Sequence, residues 1–204
     1  MRRCPPVRTP RLEARCLKAQ CLKAQCRGNQ VERRGLKILG IVGWSGSGKT
    51  TLLVAILPLL RASGLSVSTI KHTHHGFDMD RPGKDSHRHR QAGAHEVLVA
   101  SSQRWALLHE VDGPEPTLPE LLSRLDPVDL VLVEGFKSHP FPKLEVFRPD
   151  LGKSSLWDRE PEVVAVASDS TPDIGARILL PLNQPGTVAT WIRTCFVIAA
   201  STGS

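Results

Sequence analysis

Eight consecutive residues, Gly43-Trp44-Ser45-Gly46-Ser47-Gly48-Lys49-Thr50, constrain this chain more than any other segment. They fit G-x-x-x-x-G-K-[ST] without a mismatch. The run before them, KILGIV over 37–42, reads as a buried parallel strand, and the run after them, TLLVAIL over 51–57, reads as a buried helix. Strand, glycine loop and helix in that order form a phosphate cradle. Glycines let backbone N–H groups approach phosphate oxygens, and the helix N-terminus adds free donors and the positive end of its dipole. Lys49 reaches the β- and γ-phosphates, the Thr50 hydroxyl ligates Mg²⁺, and Thr51 opens the helix behind it. The motif predicts binding of a nucleoside triphosphate.

The rest of the chain alternates in the same style. Pro58 is expected to kink or end the first helix early, with a C-cap at 62–64 and a second strand over 66–70. A polar loop rich in His, Gly and Asp follows, and Asp85 or Ser86 is expected to cap a helix running to about Ala92. Strands are expected over 95–100, 104–109, 128–133, 143–147, 163–167 and 178–182, with a last helix over about 187–198. Thr117-Leu118-Pro119-Glu120 is a capping box before the stripe Leu118, Leu121, Leu122 and Leu125. The pattern predicts an α/β fold of the P-loop NTPase type, a mostly parallel sheet with helices on both faces. Ligands bind such sheets at the carboxyl ends of the strands.

A length of 204 residues predicts one main domain, over 36–200, followed by a short tail at 201–204. The formal charge of +7 suggests nucleic acid, but it resides in the leader. Residues 1–35 carry ten Lys and Arg against two acidic groups, and residues 36–204 carry 17 against 18. A nearly neutral domain gives no reason to expect nucleic-acid binding. The leader repeats Cys-Leu-Lys-Ala-Gln at 16–20 and 21–25 and holds Cys4, Cys16, Cys21 and Cys26. No histidine accompanies these cysteines, so the leader reads as a basic, disordered arm rather than a zinc site, or as sequence upstream of the true start. No apolar stretch follows Arg2-Arg3, the leader has no Ser, and no run approaches the ~20 apolar residues of a membrane span. With Cys195 alone in the domain there is no disulfide framework, and a cytoplasmic, membrane-free protein is expected.

A second acidic position completes the expected Mg²⁺ shell. The apolar run over 128–133 ends in Glu134-Gly135, which places a carboxylate at the carboxyl end of a strand beside the loop. Glu134 is therefore a candidate for the metal shell and for catalysis, and Asp85 is a second candidate for the metal shell or for positioning water. The segment from Lys71 and His72 through Arg88 and Arg90 starts on the same rim. Three readings remain open for it: anion or phosphate handling through Lys71, Arg88 and Arg90, transition-metal binding through imidazoles, or a polar loop without a ligand.

Three segments together carry a family resemblance: GIVGWSGSGKTTL over 40–52, IKHTHHGFDMDRPGKDSHRHRQAGA over 70–94 and DLVLVEGFK over 129–137. With VAVASD over 164–169 they resemble the molybdopterin-guanine dinucleotide biosynthesis protein B (MobB) family from about Leu36 to Arg193. The resemblance implies a homodimeric GTP-binding adaptor with weak GTPase activity at most. It would serve the attachment of GMP to molybdopterin, or its molybdenum form, by a partner guanylyltransferase. The implied nucleotide site is Gly43, Ser45, Gly46, Ser47, Gly48, Lys49, Thr50 and Thr51, with Thr50 and Glu134 at Mg²⁺. The segment from Lys71 to Arg90 would face the cofactor or partner. Guanine preference rests on the resemblance alone, because the chain has no N-K-x-D base-reading motif. The competing readings are a metal-insertion GTPase using His72, His74 and His75, and a small-molecule kinase with an arginine-bearing lid.

Overall fold

The computed structural model describes residues 36–73 and 76–197, which form two compact units, 36–72 with 125–197 and 73–124. The basic leader with its repeat, His74, His75, Ile198 and the 201–204 tail lie outside the described residues.

The first unit is built on a six-stranded sheet. Its strands are β1 (Lys37–Val42), β2 (Val67–Lys71), β5 (Leu130–Glu134), β6 (Lys143–Phe147), β7 (Val163–Ser168) and β8 (Ile178–Pro181). They lie in the order β2-β5-β1-β6-β7-β8, and every pairing is parallel. β1, β5 and β7 are near-continuous apolar runs because they are covered on both faces, whereas β6 buries Lys143 and Glu145 among its apolar residues. Leu39, Ile41, Leu130, Leu132 and Leu144 are all fully buried, and each such side chain contributes roughly 1.5–3 kcal/mol.

Topology decides which face each connection covers. From β1 the chain steps one way to β2, and from β5 it steps the other way through β6 and β7 to β8. Right-handed crossovers taken in opposite directions fall on opposite faces. Accordingly α1 (Lys49–Ala62) packs against Leu39, Ile41, Leu132 and Val146, together with α4 (Pro185–Ile192). The other face, with Val42 and Val166, is covered within this unit by Leu156, Trp157 and Ile174 from the irregular segments after β6 and β7. Buried Glu145 pins the first of these segments to the sheet. It accepts hydrogen bonds from the backbone N–H groups of Leu156 (2.9 Å) and Trp157 (3.0 Å).

Three local expectations are corrected. Helix α1 does not stop at Pro58 but continues to Ala62. Its packed face, with Leu52, Leu53, Ile56 and Leu60, runs past the proline. Pro58 and Val54, whose carbonyl loses its partner, are exposed, so the missing bond falls on the solvent side of the helix. Helix α2 (Asp85–Gln91) is capped by Lys84 without a side-chain hydrogen bond, and Asp85 occupies its first turn, where a carboxylate offsets the helix dipole. Helix α4 begins two residues before its expected start because Pro185 fits the first helical turn, and it widens into a π-helical turn over Arg193–Val197.

The second unit contains α2, the hairpin β3 (Glu96–Ala100) and β4 (Trp105–His109), and α3 (Leu118–Ser123). Burial is sparse here, and polar contacts do more of the work. Arg90 donates to Asp80 (2.8 Å), Asp78 (2.9 Å) and Glu110 (2.7 Å). His109 pairs with Glu96 at 2.7 Å, and Glu120 accepts from the backbone N–H (2.7 Å) and hydroxyl (2.8 Å) of Thr117. These bonds hold the carboxyls of Asp80, Glu96 and Glu120 below their ordinary range, through Arg90, His109 and Thr117 respectively.

A depressed carboxyl pKa stabilises the fold above the unfolded range near about 4, and that contribution is lost as pH falls through the folded values. In the first unit Asp129 shares this sign through its bonds to Ser66, whereas burial pushes the Glu145 carboxyl up and gives the opposite sign. Acidification from pH 5 to pH 3 is therefore expected to loosen residues 73–124 before the sheet. Amide exchange, corrected for intrinsic rates, checks this, and simultaneous loss of protection in both units would contradict it.

Candidate functional site

The glycine loop leaves the end of the central strand, between β5 and β6, where the direction of the connections reverses. Gly43 makes the turn possible. A Cβ there would stand 2.4 Å from the carbonyl oxygen of Val146 and 2.8 Å from Ser47 Oγ, and φ is 141°. The loop closes on itself through the Ser47 N–H, which donates to Trp44 O at 3.1 Å. Gly48, at φ 98°, then caps α1, whose first turn carries no acidic side chain. The open amides and the positive end of the helix dipole are left uncompensated.

The side chains in the loop suit an anion. Ser47 is 1% exposed, yet its Oγ has no hydrogen-bond partner. A buried orphan donor is uncommon and marks a place for a ligand oxygen. Lys49 folds back so that Nζ donates to Trp44 O at 2.9 Å. Burial lowers its ammonium pKa, and Lys137 and Lys71 push the same way against Glu134. Three ammonium groups around one hollow repel each other, and a polyanion relieves the repulsion.

Glu134 stands beside this hollow because β5 pairs with β1 in the register Ile41↔Glu134 and with β2 in the register Lys71↔Glu134. The Thr50 hydroxyl lies 3.3 Å from Glu134 Oε1, and Lys71 Nζ lies 3.8 Å from the same oxygen. One hydroxyl and one carboxylate are hard oxygen donors. That suits Mg²⁺, which takes one or two protein oxygens and fills its shell with water and phosphate. Among the described residues no three His, Cys, Asp or Glu side chains converge as a metal cage.

The strand end is held in a strained turn. A Cβ on Gly135 would meet His72 Cβ at 2.8 Å, and Phe136 has φ 49°, the left-handed region that side chains disfavour. The Phe136 ring stacks on His72 with centroids 4.4 Å apart and meets His139 edge-on at 4.8 Å. This packing fixes the turn and carries Lys137 over the Trp44 ring, 4.7 Å from its centroid. Trp44 in turn donates its indole N–H to Ser154 O at 2.6 Å.

The expected site residues thus divide between the units. Gly43, Ser45, Gly46, Ser47, Gly48, Lys49, Thr50, Thr51, Lys71, His72 and Glu134 belong to the first unit, and Asp85, Arg88 and Arg90 to the second. Arg90 is engaged by its three carboxylates. Asp85 and Arg88 face each other at 4.0 Å, both exposed. Sequence reasoning missed Lys137 and Arg148. Arg148, just past β6, donates from Nε to Ser47 O at 3.1 Å and pairs through Nη1 with Asp169 at the end of β7. It ties the loop to the neighbouring strand end.

The sequence matches the family described as Molybdopterin guanine dinucleotide synthesis protein B over residues 38–169. It is 45% identical over 150 residues to the Molybdopterin-guanine dinucleotide biosynthesis adapter protein of Escherichia coli, covering 71% of this chain and 85% of the relative. This chain belongs to the MobB family. The Haemophilus influenzae protein of the same name is 42% identical over 160 residues, covering 78% of this chain and 88% of the relative. Solved MobB structures share the fold. That of Bacillus subtilis MobB superposes with a TM-score of 0.62 at 25% identity, covering 78% of this chain and 98% of the other. Another, a crystal structure of molybdopterin-guanine biosynthesis protein B, gives a TM-score of 0.61 at 29% identity, covering 76% and 97%. The matched MobB region contains the glycine loop, Glu134, Lys137, Arg148 and Asp169.

Proposed function

We propose that this MobB-family chain binds GTP with Mg²⁺ at the glycine loop and serves as an adaptor in molybdenum cofactor biosynthesis. It would assist a guanylyltransferase in attaching GMP to molybdopterin. The observation that carries the reading is the hollow at the glycine loop, with orphaned Ser47 Oγ, inward-folded Lys49 and the Thr50–Glu134 pair, in a chain whose relatives are named as adapters of this synthesis. Lys49 would turn from Trp44 O to the phosphates, the α1 amides and Ser47 would donate to their oxygens, and Thr50 and Glu134 would hold Mg²⁺. Mg²⁺, when bound, neutralises charge on the β- and γ-phosphates. Hydrolysis is slow in this account, because the strand end after Glu134 does not continue as a D-x-x-G switch.

Glu134→Ala separates the metal's share from the phosphate cradle. It is expected to remove the Mg²⁺-dependent part of GTP affinity, roughly tenfold for one lost charged ligand contact, while binding in EDTA stays as in the wild type. Equal affinities for wild type and variant in Mg²⁺ would return Glu134 to a structural role.

The protein is proposed to be a cytoplasmic homodimer. Among the described residues no helix is long and apolar enough to cross a membrane. In the second unit Leu98 and Leu107 are directly paired across the hairpin, and both are exposed, with Trp105 at 64% beside them. A two-stranded hairpin is marginal alone, and a contiguous exposed apolar face of this kind calls for a partner, here a second copy. The adaptor role is tested by measuring guanylyltransferase binding to the full chain with and without GTP and Mg²⁺. Tighter binding with GTP supports the proposal, and no binding under either condition overturns it.

A further inference from the structure

Charged side chains are seldom fully buried, and β6 buries two of them, Lys143 and Glu145. Glu145 pins residues 156 and 157 through their amides. Lys143 opens the strand beside the middle of β1, in the register Gly40↔Lys143. Its ammonium donates to His139 O at 2.7 Å and lies 3.8 Å from Glu160 Oε2. Burial lowers its pKa, so an ammonium here bears a desolvation penalty that an apolar side chain would avoid. The turn it holds leads back to the phosphate hollow. His139 O also accepts the Phe141 N–H at 3.0 Å, and the His139 N–H donates to Phe136 O at 3.2 Å. Phe136 is the strained residue between Glu134 and Lys137, and Lys137 stands over Trp44. Gly40 lets the far end of the turn lie directly on β1. A Cβ there would meet the Phe141 ring at 2.6 Å and the Lys143 stem at 3.0 Å, and the Gly40 N–H donates to Pro142 O at 2.9 Å.

We propose that Lys143 is a positioning residue for the phosphate site, whose buried ammonium clamps the 136–141 turn and so keeps Lys137 at the edge of the hollow. The proposal rests on the phosphate-binding reading above. Two observations separate it from a role in packing. The ammonium donates to the turn that follows Lys137, not to a neighbouring strand or helix. The fold, moreover, does not depend on the charge. Without it His139 O keeps the Phe141 N–H, and the Glu160 carboxylate, 27% exposed, is open to water. Neither partner is left stranded, and replacing a buried ion by an apolar group of similar volume is often neutral or stabilising. A charge that burdens the fold and grips the segment bearing a site cation serves the site.

The test is calorimetric titration of the full chain with GTP and with inorganic tripolyphosphate, each with Mg²⁺, beside thermal denaturation without ligand. Lys143→Met keeps the stem over Gly40 and removes the ammonium. It is expected to weaken both ligands roughly tenfold, the scale of one displaced charged contact, while the ligand-free melting temperature stays at or above that of the wild type. Lys137→Met is expected to cost about as much. The double variant should lose no more than either single one, because Lys143 acts through Lys137. Losses that multiply in the double variant would mean that Lys143 contributes only its charge, and would overturn the proposal. Wild-type affinity in Lys143→Met would overturn it as well, and so would failure of that variant to fold, since the charge would then belong to the fold. Failure of the wild type to bind either ligand would instead defeat the phosphate reading on which the proposal stands.

Discussion

Lys49→Met is expected to lower affinity for GTP roughly a hundredfold, or about 3 kcal/mol, the upper range for a hydrogen bond to a charged group. Methionine keeps the length of the stem and removes the ammonium. In the free protein that ammonium is partly desolvated and crowded by Lys137 and Lys71. Among the described residues it donates to Trp44 O. Loss of this charge-assisted bond in the ligand-free state costs about 1.5–3 kcal/mol and is offset by relief of desolvation and of like-charge repulsion. The variant should therefore melt near the wild type without nucleotide, yet lose most of the stabilisation that saturating GTP gives to the wild type. Calorimetric titration and thermal denaturation check both halves. Unchanged GTP affinity would mean that the loop does not hold phosphates through Lys49.

Gly43→Ala is expected to be the most damaging single substitution in the loop. The added Cβ would lie 2.4 Å from a backbone oxygen of β6, and that oxygen belongs to a strand buried in the sheet. The nearest obstacle is strand backbone, which cannot turn aside as the Ser47 hydroxyl at 2.8 Å could. Backbone strain at φ 141° and forced displacement of the strand together cost about 2–5 kcal/mol. That is a large fraction of the stability of an ordinary domain. Gly64→Ala is the control, since φ is 87° there but nothing lies within 4 Å. It should lose only about 1–2 kcal/mol, for the left-handed backbone alone, with GTP affinity unchanged. Denaturant titration of the two variants separates collision from strain, and equal losses would remove the close approach of Gly43 to β6 as an explanation.

What was legible in the sequence was whatever depends on neighbours in the chain. The strands over 37–42 and 143–147 came out with their observed bounds, the first from an apolar run and the second from the alternation of Leu144 and Val146 with charged residues. The glycine loop announces itself by spacing, and Glu134 by its place at the end of an apolar run. Pro58 misled because propensity is local, whereas Leu60, on the packed side, is held by tertiary contacts. Arg148 was not legible at all. It meets Ser47 across 101 residues of sequence, and only the parallel pairing of β6 beside β1 brings the two together. Arg90 reads as a free cation in the sequence, and its three carboxylate partners emerge only when residues 78–110 fold around it.

The most direct test of the account is equilibrium titration of the full chain with GTP and with ATP, each in the presence of Mg²⁺, with nucleotide hydrolysis followed in the same samples. A GTP-binding adaptor should show clear preference for GTP and little turnover over the time of the titration. Preference for ATP, or brisk hydrolysis, would contradict a GTP-binding adaptor and favour a small-molecule kinase.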